Sequence, residues 1–379
     1  MESVIKLNKS DLQRDYYMLK GPLAKKGYDW WWHSLTAYNK ETKEPKAFFI
    51  EFFVCNPALA EDTPTLGQDP ENKRLGKRPS YCMIKVGAWG NNAKQIHNFY
   101  SMKDFSCPDN ELNIKVGNCS LSETHMEGSC IVTEQEAKDH PEYMCDAGDM
   151  SWNLDINKQI TFNVGYGASK IFRKLNSFEM FWHAEGIKTE YSGTITLDGV
   201  EYEVIPEKSY GYADKNWGGD FTSPWLWISS CNITSLITGE KLNNSAFEAG
   251  GGRPKAFGIE IPRKLLIGFY YEGKMYEYNF ARFWNLVKID FDFVEGDDVH
   301  TWTINASNKD SYIELVLYCK RDEMMLFNYE APNGLKLHNR LWNGGTGYGE
   351  IKLYKKDGTL IDHVKIENAG CEYGEYDSQ

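Results

Sequence analysis

The chain has 379 residues, of which 41% are hydrophobic and 25% charged, a composition typical of globular proteins that bury a sizeable core. Its 42 basic and 54 acidic residues give a net charge of −12, which argues against nucleic acid and against an anionic membrane surface as partners. Aromatic residues make up 14%, a share that suits strands and pockets for flat or apolar ligands.

Nine cysteines are spread along the chain without a Cys-x-x-Cys pair, which predicts buried thiols in a reducing compartment. The eight histidines show no metal-ligand spacing, and nucleotide-binding motifs are missing, so we predict neither a metal nor a cofactor. The N-terminal residues lack the pattern of a signal peptide, and no run approaches the ~18 apolar residues of a membrane helix. We therefore expect a cytoplasmic protein without stable membrane insertion, whose oligomeric state is unknown.

Alternation of apolar and polar residues with a period of two dominates the chain and predicts half-buried strands. The predicted strands cover 46–56, 81–90, 111–122, 192–205, 286–296, 300–307, 312–320 and 349–366. Short helical patterns occur at 8–19, 134–144 and 168–176. The Asp-Gly pairs at 198–199 and 357–358 favour positive φ and predict hairpin tips. Strands at this spacing without long helices predict antiparallel sheets, closed or sandwiched.

An internal repeat indicates two related β-domains. WWWHS at 30–34 precedes PKAFFIEF at 45–52, and WLWIS at 225–229 precedes PKAFGIEI at 254–261. The second copy carries an insertion with a Gly-rich end typical of a loop. We predict an all-β fold of two tandem antiparallel β-barrel or sandwich domains with few short helices. The predicted units are an N-terminal extension, 1–28, a first domain, 29–208, and a second domain, 209–379.

The first stretch with candidate chemistry reads DWWWH. In a strand, Trp30 and Trp32 face one side, while Trp31 and His33 face the other. These aromatic residues either fill a core or, together with Asp29, line the mouth of a cavity. In such a cavity the indole faces would stabilise a cation.

The second stretch, FWHAEGIKTEYSG, precedes a strong hairpin pattern. In extended backbone Trp182 faces one side, whereas His183 and Glu185 share the other. Two interpretations remain open for the histidine: a satisfied core residue, or one half of a weak acid–base pair.

The third stretch is KSYGYADKNWG, in which two glycines favour a sharp turn. Such a turn would bring Tyr212, Asp214 and Asn216 together. An aspartate lodged among aromatic residues is desolvated, which raises its pKa and lets it act as an acid near neutral pH. Two alternatives stay open: Lys215 pairs with Asp214 and holds it ionised, or the segment is an ordinary turn.

Residues 213–232, ADKNWGGDFTSPWLWISSCN, resemble the signature of tocopherol cyclases. In that signature a Lys-Asn-Trp-Gly block leads into Phe-x-Ser-x-Trp-x-Trp and then Cys-Asn, and all these elements are present. The upstream EYSGTITLDG is similar to the family's short strand before the motif, with Ser192 in place of a histidine. More distantly, the Asp-x-x-Trp-Gly spacing from Asp214 to Gly218 and the WWWHS block resemble the carotenoid 1,2-hydratase and AttH-like group, which consists of two lipocalin-like β-domains.

The resemblance implies redox-neutral chemistry on an apolar prenylated phenol, quinol or terpenoid. An acid protonates an alkene, and a phenol oxygen or water captures the tertiary cation. The implied roles are Asp214 as proton donor with Asp29 second, and His183 or Tyr212 to deprotonate or orient the nucleophile. The implied substrate-binding residues are Trp30, Trp32, His33, Trp182, Lys215, Asn216, Trp217, Trp225 and Trp227.

Three other interpretations remain open. A lipocalin-like barrel can carry an apolar ligand without changing it. The same cavity could fold a polyene for a Diels–Alderase-like or isomerase reaction, in which acids matter less than shape. A structural or carbohydrate-binding β-sandwich would instead expose its tryptophans to stack on sugars.

Overall fold

The computed structural model describes residues 9–162, 178–253, 255–256, 258–260, 262, 264–280, 283–335 and 337–375. The α-helices in this part of the chain are α1 (Lys9–Asp15), α2 (Leu23–Lys26), α3 (Pro70–Arg74) and α4 (Glu134–Asp139). Short 3₁₀ turns occur at Pro57–Leu59, Met102–Asp104, Pro141–Tyr143, Pro206–Lys208, Phe283–Asn285 and Arg321–Glu323. The helix predicted at 168–176 lies outside the described residues. None of the described helices is long and apolar enough to cross a membrane, and the cytoplasmic location stays a prediction.

The first sheet is antiparallel throughout and curls on itself, so that β4 packs against β8. Its strands are β1 (Tyr28–Asn39), β2 (Pro45–Cys55), β3 (Tyr81–Ala88), β4 (Lys94–Tyr100), β5 (Phe105–Ser106), β6 (Asn113–Val116), β7 (Cys119–Ser122), β8 (His125–Val132), β9 (Gly148–Phe162), β10 (Met180–Leu197), β11 (Val200–Val204) and β12 (Gly211–Gly218). They pair in the order β4-β3-β2-β1-β11-β10-β9-β8-β7-β6-β5, and β12 pairs with both β1 and β10.

The second sheet begins at β13 and is also antiparallel. The strands that follow β12 are β13 (Trp225–Ser230), β14 (Asn232–Ser235), β15 (Ala246–Gly252), β16 (Lys255–Ala256), β17 (Ile259–Glu260), β18 (Lys264–Tyr271), β19 (Lys274–Asn279), β20 (Lys288–Val294), β21 (Val299–Ser307), β22 (Ser311–Lys320), β23 (Met325–Glu330), β24 (Leu337–Lys355) and β25 (Leu360–Gly374). The pairing order is β19-β18-β15-β13-β25-β24-β22-β21-β20, with β14 on β25, β23 on β24, and β16 paired only with β17.

These sheets confirm the predicted fold class, an all-β chain of two antiparallel barrel-like units with few short helices. The limits 1–28, 29–208 and 209–379 remain a prediction. Strand β12 is hydrogen-bonded into the first sheet. The chain passes from the first sheet to the second between Gly218, the end of β12, and Trp225, the start of β13. Below, the first domain means the first sheet with its helices, and the second domain means the second sheet.

Two local predictions were wrong. Residues 211–218 form the extended strand β12 rather than a sharp turn, because β1 and β10 supply backbone partners on both sides. The Gly-rich end of the insertion forms β15 rather than a loop, and β15 pairs with β13. The PKAFGIEI block therefore does not correspond to β2: it contributes the small β16–β17 hairpin outside the main sheet.

Buried apolar residues form three clusters. One lies inside the first domain and includes Trp31 and Trp152. A second lies inside the second domain around Trp302. The third, here called the interdomain core, joins residues of both domains, among them Trp32 and Trp227. Strands β1 and β2 border both the first-domain interior and the interdomain core, which explains why their residues are apolar in nearly continuous runs.

Candidate active site

The strand β12 carries the centre of the candidate site. Its period-two geometry places Tyr212, Asp214 and Asn216 on one face, and Asp214 stands directly opposite Trp32 on β1. That face looks onto the interdomain core. Tyr212 and Asp214 are joined along a strand rather than in a turn. Asn216 shares their face, but its partner is Tyr28.

Asp214 is buried among neutral donors. The indole N–H of Trp182 donates to Oδ2 at 2.8 Å, the hydroxyl of Tyr212 lies 2.9 Å from the same oxygen, and the indole N–H of Trp30 lies 3.5 Å from Oδ1. Burial raises the pKa of Asp214 to about 7, although the three hydrogen bonds favour the anion. The carboxyl can therefore both give and take a proton near neutral pH.

The Tyr212 hydroxyl also reaches a carboxyl of the second domain. It lies 3.0 Å from Oε1 of Glu248 on β15, and the indole N–H of Trp227 donates to that oxygen at 2.9 Å. A hydroxyl has one proton, so both contacts of Tyr212 are hydrogen bonds only if Asp214 or Glu248 is itself protonated. Burial, followed by the charge of Asp214, raises the pKa of Glu248 well above its usual value. The Tyr212 hydroxyl thus links Asp214 and Glu248 across the domain interface.

A third carboxyl, Glu372 on β25, lies in the same region. Its Oε2 accepts the indole N–H of Trp225 at 2.7 Å, and its Oε1 accepts the side-chain amide of Asn343. Burial raises the pKa of Glu372 to about 8. Sequence reasoning missed both glutamates, because Glu248 lies in the segment interpreted as a loop and Glu372 near the chain end. The sequence feature that could have revealed them is an acidic residue within an otherwise apolar strand, on the face that meets tryptophans.

Lys215 and Asp29 lie on the opposite side of the first sheet. The Lys215 ammonium pairs with Oδ1 of Asp29 and lies 3.7 Å from the ring centroid of Trp31. The backbone N–H of Met18 donates to Oδ2 of Asp29 at 2.7 Å. Lys215 therefore holds Asp29 rather than Asp214. Burial raises the pKa of Asp29 to about 6, against the lowering effect of Lys215.

The two candidate histidines also face the interior of the first domain. His183 Nε2 lies 3.4 Å from Oδ1 of Asp15, and burial lowers its pKa to about 3. His33 Nδ1 lies 2.8 Å from the Tyr191 hydroxyl, and burial lowers its pKa to about 4. Both rings are neutral at physiological pH, and alternation along β10 and β1 turns them away from Asp214.

An acidic group beside His183 has donor atoms close enough to hold a metal ion. Carboxylate oxygens of Asp15, Glu123 and Glu185 lie within 4.8 Å of one another. The Lys158 ammonium lies among them, at 2.7 Å from Glu123 and 3.6 Å from Asp15, and it also pairs with Glu185. The geometry is that of an internal ion-pair cluster built around one lysine.

The predicted aromatic lining gathers at the interdomain core. Trp182 meets Trp225 edge-on with ring centroids 6.0 Å apart. Trp217 stacks on Phe181 at 5.5 Å, and Asn216 accepts the Tyr28 hydroxyl at 2.6 Å. The candidate tryptophans are all buried, with exposed fractions of 1–8%. This contradicts the carbohydrate-binding alternative, which requires exposed rings.

Solved structures of similar architecture include an AttH protein from Nitrosomonas europaea and a kievitone hydratase from Nectria haematococca. The first has a TM-score of 0.46 at 12% identity, covering 95% of this chain and 97% of that protein. The second has a TM-score of 0.47 at 12% identity, covering 98% and 94%.

A probable tocopherol cyclase of the chloroplast from Oryza sativa subsp. japonica is 38% identical over 104 residues, 27% of this chain. The match spans 20% of that relative's length. The tocopherol cyclase-like family model covers much more of the chain, residues 59–375. This confirms the resemblance seen in residues 213–232, and the chain belongs to the tocopherol cyclase-like family.

Proposed function

We propose that this protein is an enzyme that protonates an alkene of a prenylated aromatic or terpenoid lipid and lets a hydroxyl group capture the resulting cation, by cyclisation or hydration. One observation carries the proposal: the Tyr212 hydroxyl links the carboxyls of Asp214 and Glu248 inside a buried, tryptophan-rich interface. Membership of the tocopherol cyclase-like family and the similarity to a plant tocopherol cyclase support the same class of chemistry.

The acid in this mechanism is Asp214 in its protonated form. Its proton adds to the less substituted alkene carbon, the π electrons form the new C–H bond, and the other alkene carbon becomes a tertiary cation. A phenol or water oxygen then donates a lone pair to the cation, forms the C–O bond and releases its proton. The Asp214 carboxylate accepts that proton directly or through Tyr212 and Glu248, so the enzyme is restored and the reaction is redox-neutral.

Indole N–H groups hold the carboxyls of the site and fix them in place. Trp182 and Trp30 point their N–H groups at Asp214, and Trp227 points its N–H at Glu248. Each of these indoles turns its N–H edge to a carboxyl, so its π faces lie to either side, where they would stabilise a carbocation without forming a bond to it readily. Exclusion of water strengthens these interactions and limits premature capture of the cation.

The test is incubation in deuterated water with a panel of prenylated phenols, quinols and linear terpenoids, followed by mass spectrometry. The wild-type protein should yield an isomer or hydrate that gains one non-exchangeable deuterium, and Asp214→Asn should abolish it. The matched control is Glu330→Gln, because Glu330 is also buried with a pKa near 7 but is held by the backbone N–H of Gly67, outside the tryptophan network. This variant should retain labelling.

Two outcomes would contradict the proposal. Tight retention of a lipid without labelled product, equal in wild type and Asp214→Asn, would place the protein among ligand carriers. An unlabelled isomer formed equally by both proteins would favour a polyene-folding reaction that uses shape rather than acid.

A further inference from the structure

A row of opposed side chains crosses the face of the first sheet that meets the second domain. From β4 to β12 the row consists of His97, Lys85, Glu51, Trp32 and Asp214. Directly opposed residues of antiparallel strands point to the same face. Strands lie about 4.8 Å apart, so the backbones at Asp214 and Glu51 are separated by about 10 Å with Trp32 between them.

The middle of this row holds one hydrogen-bond donor and one acceptor that have no partner among the described residues. Trp32 and Glu51 are 3% and 0% exposed. Within the described part of the chain, neither Nε1 of Trp32 nor Oε1 of Glu51 has a hydrogen-bond partner. Buried polar groups normally form hydrogen bonds. A ligand group that accepts a hydrogen bond from Trp32 and donates one to Glu51 would pair both. A hydroxyl group has both capacities.

The acceptor is held in place from the second domain. Oε2 of Glu51 accepts the Tyr329 hydroxyl at 2.9 Å, and Lys85 Nζ lies 4.0 Å from the same oxygen. The Lys85 ammonium rests on the rings of Tyr329 and Phe327, at 3.9 and 4.6 Å from their centroids. Burial raises the pKa of Glu51, and the contacts with Lys85 and Tyr329 oppose this rise. Among the described residues Oε1 has no hydrogen-bond partner, so it is available as an acceptor.

A polar groove at the surface is lined by a neighbour of Trp32. The groove has a volume of about 610 Å³ and is lined by residues of both domains, including Tyr202, Thr346 and Trp89. The buried ring of Trp89 lies at 6.0 Å from that of Trp32. Trp89 thus connects the groove, which it lines, with the Trp32 ring that it contacts.

We propose that Trp32 and Glu51 form a binding subsite for a phenolic hydroxyl of the substrate, with the indole N–H donating to the phenol oxygen and the phenol O–H donating to Oε1 of Glu51. The inference rests on the proposed function and adds the residues that orient the nucleophile. It places the hydroxyl on one side of Trp32 and the proton donor Asp214 on the other.

The test is equilibrium binding by calorimetry, with a phenol whose isoprenoid chain is saturated and an analogue in which hydrogen replaces the phenolic hydroxyl. Neither compound has an alkene to protonate, so the measurement does not depend on turnover. Wild type should bind the phenol at least about tenfold more tightly than the deoxy analogue, because the analogue leaves both buried groups unpaired. Trp32→Phe should reduce this ratio to about threefold or less.

Glu51→Gln should also reduce the affinity ratio between the phenol and its deoxy analogue. This single change leaves the charge of the buried Lys85 without its carboxylate partner, so a Glu51→Gln/Lys85→Met variant is measured as well. The matched control is Trp152→Phe, because Nε1 of Trp152 is also buried without a hydrogen-bond partner among the described residues but lies in the first-domain interior. It should keep the wild-type ratio.

Equal affinity of wild type for the two compounds, or an unchanged ratio in Trp32→Phe, would overturn the inference. Labelling from deuterated water would then still support the proposed function. Discrimination of the hydroxyl without any labelled product would support the subsite in a protein that only carries its ligand.

Discussion

The indole ring of Trp182 lies directly against Gly250: a Cβ atom at position 250 would stand 2.6 Å from the edge of the ring. Trp182 belongs to β10 of the first domain and Gly250 to β15 of the second. The same indole donates its N–H to Asp214 at 2.8 Å. The environment of the candidate acid therefore depends on how closely the two domains pack.

Gly250→Ala should disturb the candidate site from the second domain. The added methyl group overlaps the Trp182 ring, so the ring must shift away from Asp214 or the strands must separate, at a cost of about 1–3 kcal/mol. We expect a lower Tm and a loss of labelled product. Gly219→Ala is the control, because a Cβ there meets only the Lys26 carbonyl oxygen at 3.5 Å. Equal Tm and labelling in both variants would show that the domain contact does not support the acid.

Tyr212→Phe should shift the pH dependence of turnover and leave the protein folded. The hydroxyl favours the Asp214 carboxylate, so its removal raises the pKa of Asp214 above its value of about 7. Because the acid must be protonated to act, wild-type kcat/KM should fall as pH rises through about 7. In Tyr212→Phe this alkaline limb should move to higher pH. Profiles measured from pH 5 to 9 that coincide would exclude a link between Tyr212 and the acid.

Buried carboxyls should make the ligand-free protein less stable as pH rises. Burial raises the pKa of Asp214 from its usual 3.8 to about 7 in the folded state. Between these two pH values the folded state therefore binds a proton that the unfolded state has lost. This stabilising contribution is complete below about pH 4 and is lost as pH rises through 7, at about 1.4 kcal/mol per pKa unit. The Asp214→Asn variant lacks this pH-dependent stabilisation.

The free energy of unfolding of Asp214→Asn, relative to wild type, should therefore increase between pH 5 and pH 8. Glu372→Gln should behave similarly at somewhat higher pH, because the pKa of Glu372 is about 8. Urea titrations at several pH values measure both differences. Parallel stability curves for wild type and variants would mean that these carboxyls titrate in their ordinary range.

The Lys215–Asp29 pair should prove structural. Lys215→Met leaves the Asp29 carboxylate buried without its cation and should destabilise the protein by about 3–5 kcal/mol. Asp29→Asn should lower Tm, yet the folded protein should still form labelled product, because Asp29 faces the first-domain interior. If Asp29→Asn folds normally but loses all labelling, then Asp29 rather than Asp214 is the proton donor.

Sequence patterning predicted the strands well because alternation is a local property of extended backbone. It placed Trp30 and Trp32 on one face, and the structure keeps both at the interdomain core. It failed where glycine was taken as a turn signal. Strands β12 and β15 are extended because each is hydrogen-bonded on both sides, and glycines in β15 make room for the Trp182 ring.

The sequence by itself determined the all-β class and the family, since these follow from local periodicity and a contiguous motif, and it singled out Asp214 as the candidate acid. Only the tertiary structure decided which carboxyl joins Asp214 at the Tyr212 hydroxyl, because Glu248 comes from the other domain and meets Tyr212 through long-range packing of two sheets. It also decided the role of Lys215, whose partner Asp29 lies 186 positions away in the chain. The Tyr212–Glu248 contact depends on how the two sheets dock, and the Lys215–Asp29 contact depends on the pairing of β12 with β1. No spacing along one strand encodes either.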